Sequence, residues 1–293
     1  MRYLYATAAA IAPLLFACGA NAQVAVDSSR TTPITTANPA GNGPDDVIIV
    51  AGGAIVLTSG TAVTVNSSND FSINANGNIT MSNAASGSTA ILIEGGNTSD
   101  ITIAGSIVVT DDLTENTDSD GDGDFDGPFA TGSNRFGIRL DGAGAMTGNV
   151  VMQNGSTMLI EGNDSFGISL ESDLIGNLTN QGTIRVIGND GMGVRALGTI
   201  DGTVYLGGSV STVGGGSTAI GMFGDISGGL NIQGSVSSTG YRYTSRPSDD
   251  FIEKLDADDL LQGGPAVVIA GNVAGGVTFG NPPADDDEDE TDE

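Results

Sequence analysis

The chain has 293 residues, no histidine, one cysteine and a formal net charge of −27. The absence of histidine excludes Ser-His-Asp and Cys-His catalysis as well as histidine-based zinc sites. Only nine Lys and Arg residues stand against 36 Asp and Glu residues, which argues against a phosphate-binding surface, so no nucleic-acid partner is expected.

Residues 1–22 have the pattern of a secretory signal peptide. Arg2 precedes an apolar run, and the small-x-small site Ala20-Asn-Ala22 precedes Gln23. The apolar run is too short to span a membrane. We therefore expect export through the Sec pathway, to the outer membrane, the cell surface or the medium.

An alternative signal ends at the single cysteine of the chain. Leu15-Phe-Ala-Cys18 is similar to the lipidation motif of bacterial lipoproteins, although Phe16 fits that motif poorly. Cleavage after Ala22 instead leaves a mature chain with no cysteine, so its stability has to come from packing and not from disulfides.

The segments that follow are less regular. Residues 23–46 are rich in Thr, Ser, Asn and Pro, and this composition predicts a flexible leader. From residue 47 to residue 81, five short segments have strand character but no clear register. We interpret them as the first coils of the domain.

One unit of 26 residues is written three times between Ser165 and Thr239. Apolar residues alternate with Gly, Ser, Thr or Asn within each unit, which is the period of a strand, and Gly or Asn/Asp turns bound each run. A fixed period in this range is typical of a repeat architecture. The matching columns are Ile168, Val194 and Ile220; Leu170, Ala196 and Met222; Leu174, Ile200 and Ile226; Gly176, Gly202 and Gly228; Leu178, Val204 and Leu230; and Gly182, Gly208 and Gly234.

These columns predict an all-β fold, a right-handed parallel β-helix (β-solenoid) with coils of about 26 residues over residues 47–280. Stacking equivalent aliphatic residues buries a core that no single coil could bury. An antiparallel sandwich or barrel is the competing reading, but it predicts hairpins without matched columns. The columns extend to Ile138, to Ile91 and to Val267 once insertions near 111–134 and 241–262 are allowed.

The first insertion contains the one motif that points to a metal. Its carboxylates stand at alternate positions with a glycine at the sixth, as in the first half of an EF-hand calcium loop, although no glutamate closes the twelfth position. One hypothesis is that the first insertion binds a structural calcium ion, and the other is that it is a solvated acidic loop. The candidate calcium ligands are Asp118, Asp120, Asp122, Asp124 and Asp126. No catalytic residue and no other cofactor are predicted.

The second insertion and the end of the chain are also acidic. Residues 250–261 have apolar spacing that suits a short amphipathic helix, which could bind a partner or simply pack on the side of the solenoid. Residues 281–293 are interpreted as an acidic tail or linker. The bases of the coils, Arg135, Arg139, Arg185 and Arg195, are expected to pair with carboxylates at the surface.

The exported Gly/Asn/Thr-rich repeat resembles the passenger domain of a bacterial autotransporter. The likeness rests on the repeated Gly-[Ile/Val]-x-[Leu/Ala] and Gly-[Ser/Thr]-[Ile/Val] units over roughly residues 1–280, and on the insertion before Arg135-Phe-Gly-Ile-Arg139, which is similar to alphaproteobacterial passengers. The resemblance implies attachment through a C-terminal membrane β-barrel. No such barrel follows here, so the chain is either an N-terminal piece of a longer protein or a secreted solenoid.

Three functions fit this reading. The first is a non-enzymatic, adhesin-like or structural surface module whose loops meet an extracellular glycan or protein. The second is a polysaccharide-active, pectate-lyase-like enzyme, against which Asp173 and Asp225 stand two coils apart with Thr199 between them. The third is a surface or filament component whose open ends stack.

Overall fold

A computed structural model describes residues 23–113, 118, 121, 123, 125, 128–240, 246–255, 257 and 259–280. The predicted signal peptide (1–22) and acidic tail (281–293) lie outside the described residues. Nearly all regular structure in the described part of the chain is β-strand, with one four-residue helix.

The strands follow one another in the same order in each coil. The first four coils contain β1 (Val24–Val26), β2 (Ser29–Arg30), β3 (Ile34–Thr35), β4 (Val47–Ile49), β5 (Ala54–Val56), β6 (Thr61–Val65), β7 (Phe71–Ile73), β8 (Asn78–Met81), β9 (Thr89–Glu94), β10 (Ile101–Ile103), β11 (Ser106–Val109) and β12 (Phe136–Asp141). The next coils contain β13 (Met146–Thr147), β14 (Val150–Met152), β15 (Thr157–Glu161), β16 (Phe166–Leu170), β17 (Leu174–Ile175), β18 (Leu178–Asn180), β19 (Thr183–Ile187), β20 (Met192–Ala196), β21 (Ile200–Asp201), β22 (Val204–Leu206), β23 (Ser209–Val213) and β24 (Thr218–Met222). The last described elements are β25 (Leu230–Ile232), β26 (Val236–Thr239), α1 (Asp249–Ile252), β27 (Val267–Ile269) and β28 (Val277–Phe279).

The strands stack into three long parallel sheets and one short one, which together form a β-solenoid of about eight coils. Sheet A runs β1-β4-β7-β10-β14-β18-β22-β25-β28, and sheet B runs β2-β5-β8-β11-β15-β19-β23-β26. Sheet C runs β3-β6-β9-β12-β16-β20-β24-β27, and sheet D is β13-β17-β21. Each strand therefore pairs with its equivalent in the next coil, as the 26-residue period predicts.

The register confirms the columns read from the sequence. Ile168 pairs with Val194, and Val194 pairs with Ile220. The same ladder continues through Ile138 to Ile91 on one side and to Val267 on the other, across both insertions. The apolar column residues of the three regular coils are buried in one continuous core.

The glycine columns are explained by how closely neighbouring coils approach. A Cβ placed on Gly202 would lie 2.1 Å from the carbonyl oxygen of Gly176, and one on Gly228 would lie 2.4 Å from that of Gly202. Both contacts are with backbone, which cannot rotate away. Any larger residue in this column would therefore push two coils apart.

A ladder of polar side chains runs along the edge of sheet A where its strands begin. Each Oδ1 atom accepts the backbone N–H of the residue one coil further along the chain. Asp70 N–H donates to Asp46 (3.0 Å), and Asp100 N–H donates to Asp70 (2.8 Å). The ladder then continues through Asn149, Asn177 and Thr203. These side chains bind one coil to the next outside the apolar core.

The prediction of a flexible leader over residues 23–46 is wrong. β1, β2 and β3 lie in this segment and pair in parallel with β4, β5 and β6. The segment is therefore the first coil, and Val26 and Ile34 belong to the core. Its polar composition reflects turns around very short strands, because a two- or three-residue strand contributes few apolar residues to the count.

The short helix predicted in the second insertion is only partly present. α1 covers four residues, Asp249–Ile252, and none of them is buried. None of its residues belongs to the apolar core.

Candidate functional site

Both insertions leave the solenoid at the same corner, between sheet B and sheet C. The first lies between β11 and β12, and the second lies between β26 and β27. In sheet C these positions are four steps apart, about 19 Å along the rod. The coils between them cross this corner in short turns. The two insertions therefore project beyond the turns that lie between them.

The first insertion is closed at its base by a buried ion pair that we call the clasp, formed by Asp111 and Arg135. Arg135 Nη1 lies 3.1 Å from Asp111 Oδ2, and the two side chains are 3% and 4% exposed. The Arg135 guanidinium also donates to the backbone oxygens of Glu161 and Ala84. The expectation that Arg135 pairs at the surface is therefore wrong.

The Asp111 carboxylate also binds the far end of the insertion. Its Oδ2 accepts the N–H groups of Thr131 (2.7 Å) and Gly132 (2.8 Å), and its Oδ1 accepts the Thr131 hydroxyl (2.9 Å). Burial alone would raise the pKa of this carboxyl. The hydrogen bonds from Gly132, Arg135 and Thr131 outweigh burial and hold the pKa of Asp111 well below its usual range.

The returning end of the insertion is attached to the following coil through Asn163. The Asn163 amide donates to the Ala130 oxygen (2.9 Å), and its backbone N–H donates to the Gly132 oxygen (2.8 Å). Asn134 N–H in turn donates to the Asn163 oxygen (3.0 Å). The insertion thus begins and ends in a fixed frame.

Of the predicted calcium ligands, only Asp118 belongs to the described residues. Asp120, Asp122, Asp124 and Asp126 lie outside them. Asp118 Oδ1 accepts Gly121 N–H (2.6 Å), and Asp118 Oδ2 accepts Gly123 N–H (3.0 Å). Both carboxylate oxygens thus stabilise the local turn, and within the described ranges no group of three or more potential ligands could hold a metal ion.

The two insertions come together through the single lysine of the chain. A Cβ placed on Gly123 of the first insertion would lie 2.9 Å from the Nζ atom of Lys254 in the second. The Lys254 ammonium therefore lies against the first insertion, which carries eight carboxylates between Asp111 and Asp126. The second insertion also reaches back over the corner, since a Cβ on Gly215 would lie 3.5 Å from Leu261 Cδ1.

Close contacts of glycines with backbone close the base of the second insertion among the described residues. A Cβ on Gly240 would lie 2.2 Å from the carbonyl carbon of Gln262 and 2.3 Å from the nitrogen of Gly263. Gly216 N–H donates to the Gln262 oxygen (2.8 Å), and the Ser238 hydroxyl donates to the Ser217 oxygen (2.6 Å).

The outer face of sheet C, next to this corner, carries a stacked group of arginines and phenylalanines. Phe136 and Phe166 stack with ring centroids 5.3 Å apart, and the guanidiniums of Arg139 and Arg195 lie over them at 4.6 and 3.6 Å. Glu171 binds both arginines. Burial lowers the pKa of Arg195, although Glu171 opposes this. Asp141 also binds Arg139 (3.0 Å), so two arginines meet two carboxylates and the group is locally charge-balanced.

The aspartates considered for an enzyme site both bind the backbone of the next coil. Asp173 Oδ1 accepts Thr199 N–H (2.7 Å), and Asp225 Oδ1 accepts Asn272 N–H (2.8 Å). Their positions suit them to hold coils together.

The B–C corner places two acidic insertions, each anchored at its base, beside the rigid outer face of sheet C. This arrangement is chemically suited to binding.

The fold is that of a β-solenoid, and comparisons with known proteins assign the chain to no family. No protein-family model matches the sequence, and neither the curated proteins nor the solved structures contain a significant match. Across the described ranges, no helix is both long and apolar enough to cross a membrane.

Proposed function

We propose that this chain is an exported, cell-surface β-solenoid of the autotransporter-passenger kind, non-enzymatic, that presents the B–C corner to an extracellular glycan or protein. The observation that carries the proposal is the meeting of the two insertions. Two loops that leave the same corner four coils apart are held at their bases and lie against each other at Gly123 and Lys254. Loops that bind a partner need a rigid scaffold that keeps their positions fixed.

The signal-peptide pattern of residues 1–22 supports export, and the stacked core supports stability without disulfides. The structural use of Asp173 and Asp225 supports a non-enzymatic role. A calcium ion held by Asp118 and its four neighbouring aspartates remains part of the proposal as a structural stabiliser of the first insertion.

Export is tested on the full chain produced in a Gram-negative host. The intact chain should lose its N-terminal segment after Ala22 and become sensitive to protease added outside the cytoplasm. A Leu14→Arg variant, which interrupts the apolar run, should stay uncleaved and protected inside. Equal protection of both chains would contradict export.

Binding is tested with beads that carry the purified chain on immobilised mucin and fibronectin. One variant replaces residues 113–129 by a short Gly-Ser link, and a second replaces residues 241–261 in the same way. The control variant keeps both insertions and carries Thr179→Ala on sheet A. Each shortened variant should lose most of the bead retention, and the Thr179→Ala variant should keep it. Retention that survives both deletions would contradict a role for this corner.

End-to-end association is a second candidate, favoured by the last coil. Val277 and Phe279 are 40% and 64% exposed, whereas Leu230 and Ile232, which occupy the same columns one coil earlier, are 0% and 4% exposed. Uncovered apolar strand edges pair readily. A mass that rises with concentration in light scattering, and that Phe279→Lys abolishes while Thr278→Lys does not, would support stacking.

A further inference from the structure

A cleft of about 260 Å³ opens at a different corner, between sheet A and sheet B. It is lined by Ala75, Asn76, Gly77, Asn78, Ala104, Gly105, Ser106, Gly155 and Thr157. It lies across three successive coils, the third to the fifth.

The cleft exists because the middle of these three coils has a shorter turn. β10 and β11 are joined by two residues, Ala104 and Gly105, whereas four residues join β7 to β8 and four join β14 to β15. Both longer turns are hydrogen-bonded, Gly77 N–H to the Asn74 oxygen (2.9 Å) and Ser156 N–H to the Gln153 oxygen (3.1 Å). They therefore stand on either side of the short turn as fixed walls.

Small residues keep the floor of the cleft open. A Cβ on Gly105 would lie 2.1 Å from the Gly77 oxygen, so only glycine fits there. Ala104 in the short turn, and Ala75 in one wall, add only a methyl group each. One wall carries Asn76 in the left-handed region (φ 64°), and the other carries Gly155 (φ 83°), as tight turns often require.

The polar side chains that line the cleft, those of Asn76, Asn78, Ser106 and Thr157, are neutral and can both donate and accept hydrogen bonds. The Thr157 hydroxyl donates to the Ser106 hydroxyl (3.0 Å), and Asn78 Oδ1 accepts the Thr80 hydroxyl (3.1 Å). These contacts fix the hydroxyls. Asn76, also in the lining, is exposed, and its side-chain amide can both donate and accept.

The absence of charge among these described residues limits the ligand. An anion would find no lysine or arginine and would be repelled by a protein of net charge −27. A cation would find no carboxylate. An uncharged polyol matches the mixed donors and acceptors, and its C–H groups match the Ala and Gly floor. The volume lies just below the usual range for drug-sized ligands, roughly 300–1,000 Å³, so a single ring fits.

We infer that this cleft binds one ring of an uncharged sugar, as a unit of a larger neutral glycan. The inference goes beyond the proposed function, because the cleft lies away from both insertions and does not need them. With a ligand of about a dozen non-hydrogen atoms, the expected dissociation constants for single sugars are on the order of millimolar.

The test uses the full chain, labelled for amide NMR and titrated with the methyl glycosides of glucose, galactose and mannose, and with glucuronate as a charged counterpart. At least one neutral glycoside should give saturable shifts of the amides of Asn76, Gly105, Ser106 and Thr157. Glucuronate should give weaker shifts there by a factor of about ten. Absence of saturable shifts with every neutral probe, or equal binding of glucuronate, would overturn the inference.

Matched variants tie binding to the short turn. Inserting Asn-Gly between Ala104 and Gly105 gives the middle coil a four-residue turn and should weaken binding at least tenfold. The same dipeptide inserted between Gln181 and Gly182, the equal two-residue turn between β18 and β19, should leave binding within about twofold. As a second pair, Ser106→Leu should fill the cleft, and Thr183→Leu, in the same outward row outside it, should not. Unchanged affinity in both cleft variants would overturn the inference even if the corner insertions bind a partner as proposed.

Discussion

The two insertions leave the same corner, but their bases are closed by different chemistry. The first uses a buried ion pair, Asp111 and Arg135, which also collects the Thr131 and Gly132 amides. The second uses the close backbone approach of Gly240 to Gln262 and Gly263. A charged closure depends on pH and on both partners being present, whereas a glycine closure depends only on the absence of a side chain. The following changes test that distinction, beginning with the largest expected effect.

Gly240→Val should disrupt the second insertion most strongly. The new side chain would meet two backbone atoms closer than 2.5 Å, and backbone cannot rotate away. We expect a loss of about 4 kcal/mol in the free energy of unfolding, above the usual range for overpacking. Urea unfolding followed by circular dichroism measures it. Gly229→Ala, where the nearest atoms would be 3.6 Å away, is the control and should cost less than about 0.5 kcal/mol.

Arg135→Met should open the first insertion by leaving Asp111 buried without its cation. Removing one partner of a buried pair costs about 3 kcal/mol, and hydrogen exchange at the Thr131 and Gly132 amides should accelerate accordingly. Arg246→Met removes an exposed pair with Asp249 and should change neither quantity measurably. Unchanged exchange at Thr131 in the Arg135 variant would show that the clasp is not what holds the base.

Acid should loosen the base of the first insertion more than the base of the second. Because the pKa of Asp111 is lower in the folded state than the ordinary value of 3.8, the unfolded state takes up the proton first as pH falls. The stabilisation by Asp111 is therefore complete above about pH 5 and is lost as pH falls through 3.8 and below.

The measurement is hydrogen exchange at Thr131 and Gly132 between about pH 6 and pH 3, corrected for the intrinsic pH dependence of exchange. Asp111→Asn should remove the acid-induced loss of protection, and Gly216 N–H at the base of the second insertion serves as the internal reference. A parallel loss of protection at both bases would remove the distinction between the two closures.

Lys254→Met should have the smallest effect, because Lys254 is exposed and contacts the first insertion at its surface. We expect at most about 1 kcal/mol, decreasing with added salt. A pair of spin labels, one in each insertion, should report a broader distance distribution in Lys254→Met and an unchanged one in Lys254→Arg. An unchanged distribution in both would mean that other contacts hold the insertions together.

The sequence predicts the regular part of this fold well because its repeats are equal in length. From Leu178 to Val204 to Leu230 the spacing is constant at 26 residues, so matching residues align by eye. The first coils are spaced at 23, 24 and 30 residues along sheet A, because their turns differ in length. That variation hides the register, and it explains why β1 to β3 read as a leader.

The candidate site was harder to predict than the fold. The clasp joins residues 24 positions apart that meet only because the solenoid turns the same corner before and after the insertion. An arginine that follows a Gly-Ser-Asn turn gives no sign of burial, so the sequence alone predicts that Arg135 lies at the surface. The cleft between sheets A and B depends on a difference of two residues between turns, which is visible only after the strand bounds are known.

The polar ladder along sheet A has a consequence for the length of the rod. Asn177 binds the backbone one coil ahead in the way that Asn149 does, so neighbouring coils are interchangeable as partners. Excision of residues 183–208 would join Gly182 to Ser209 and bring equivalent residues into contact on every sheet. Each coil therefore adds about 4.8 Å to the length of the rod, and one coil can be removed while the remaining coils keep their strand pairing.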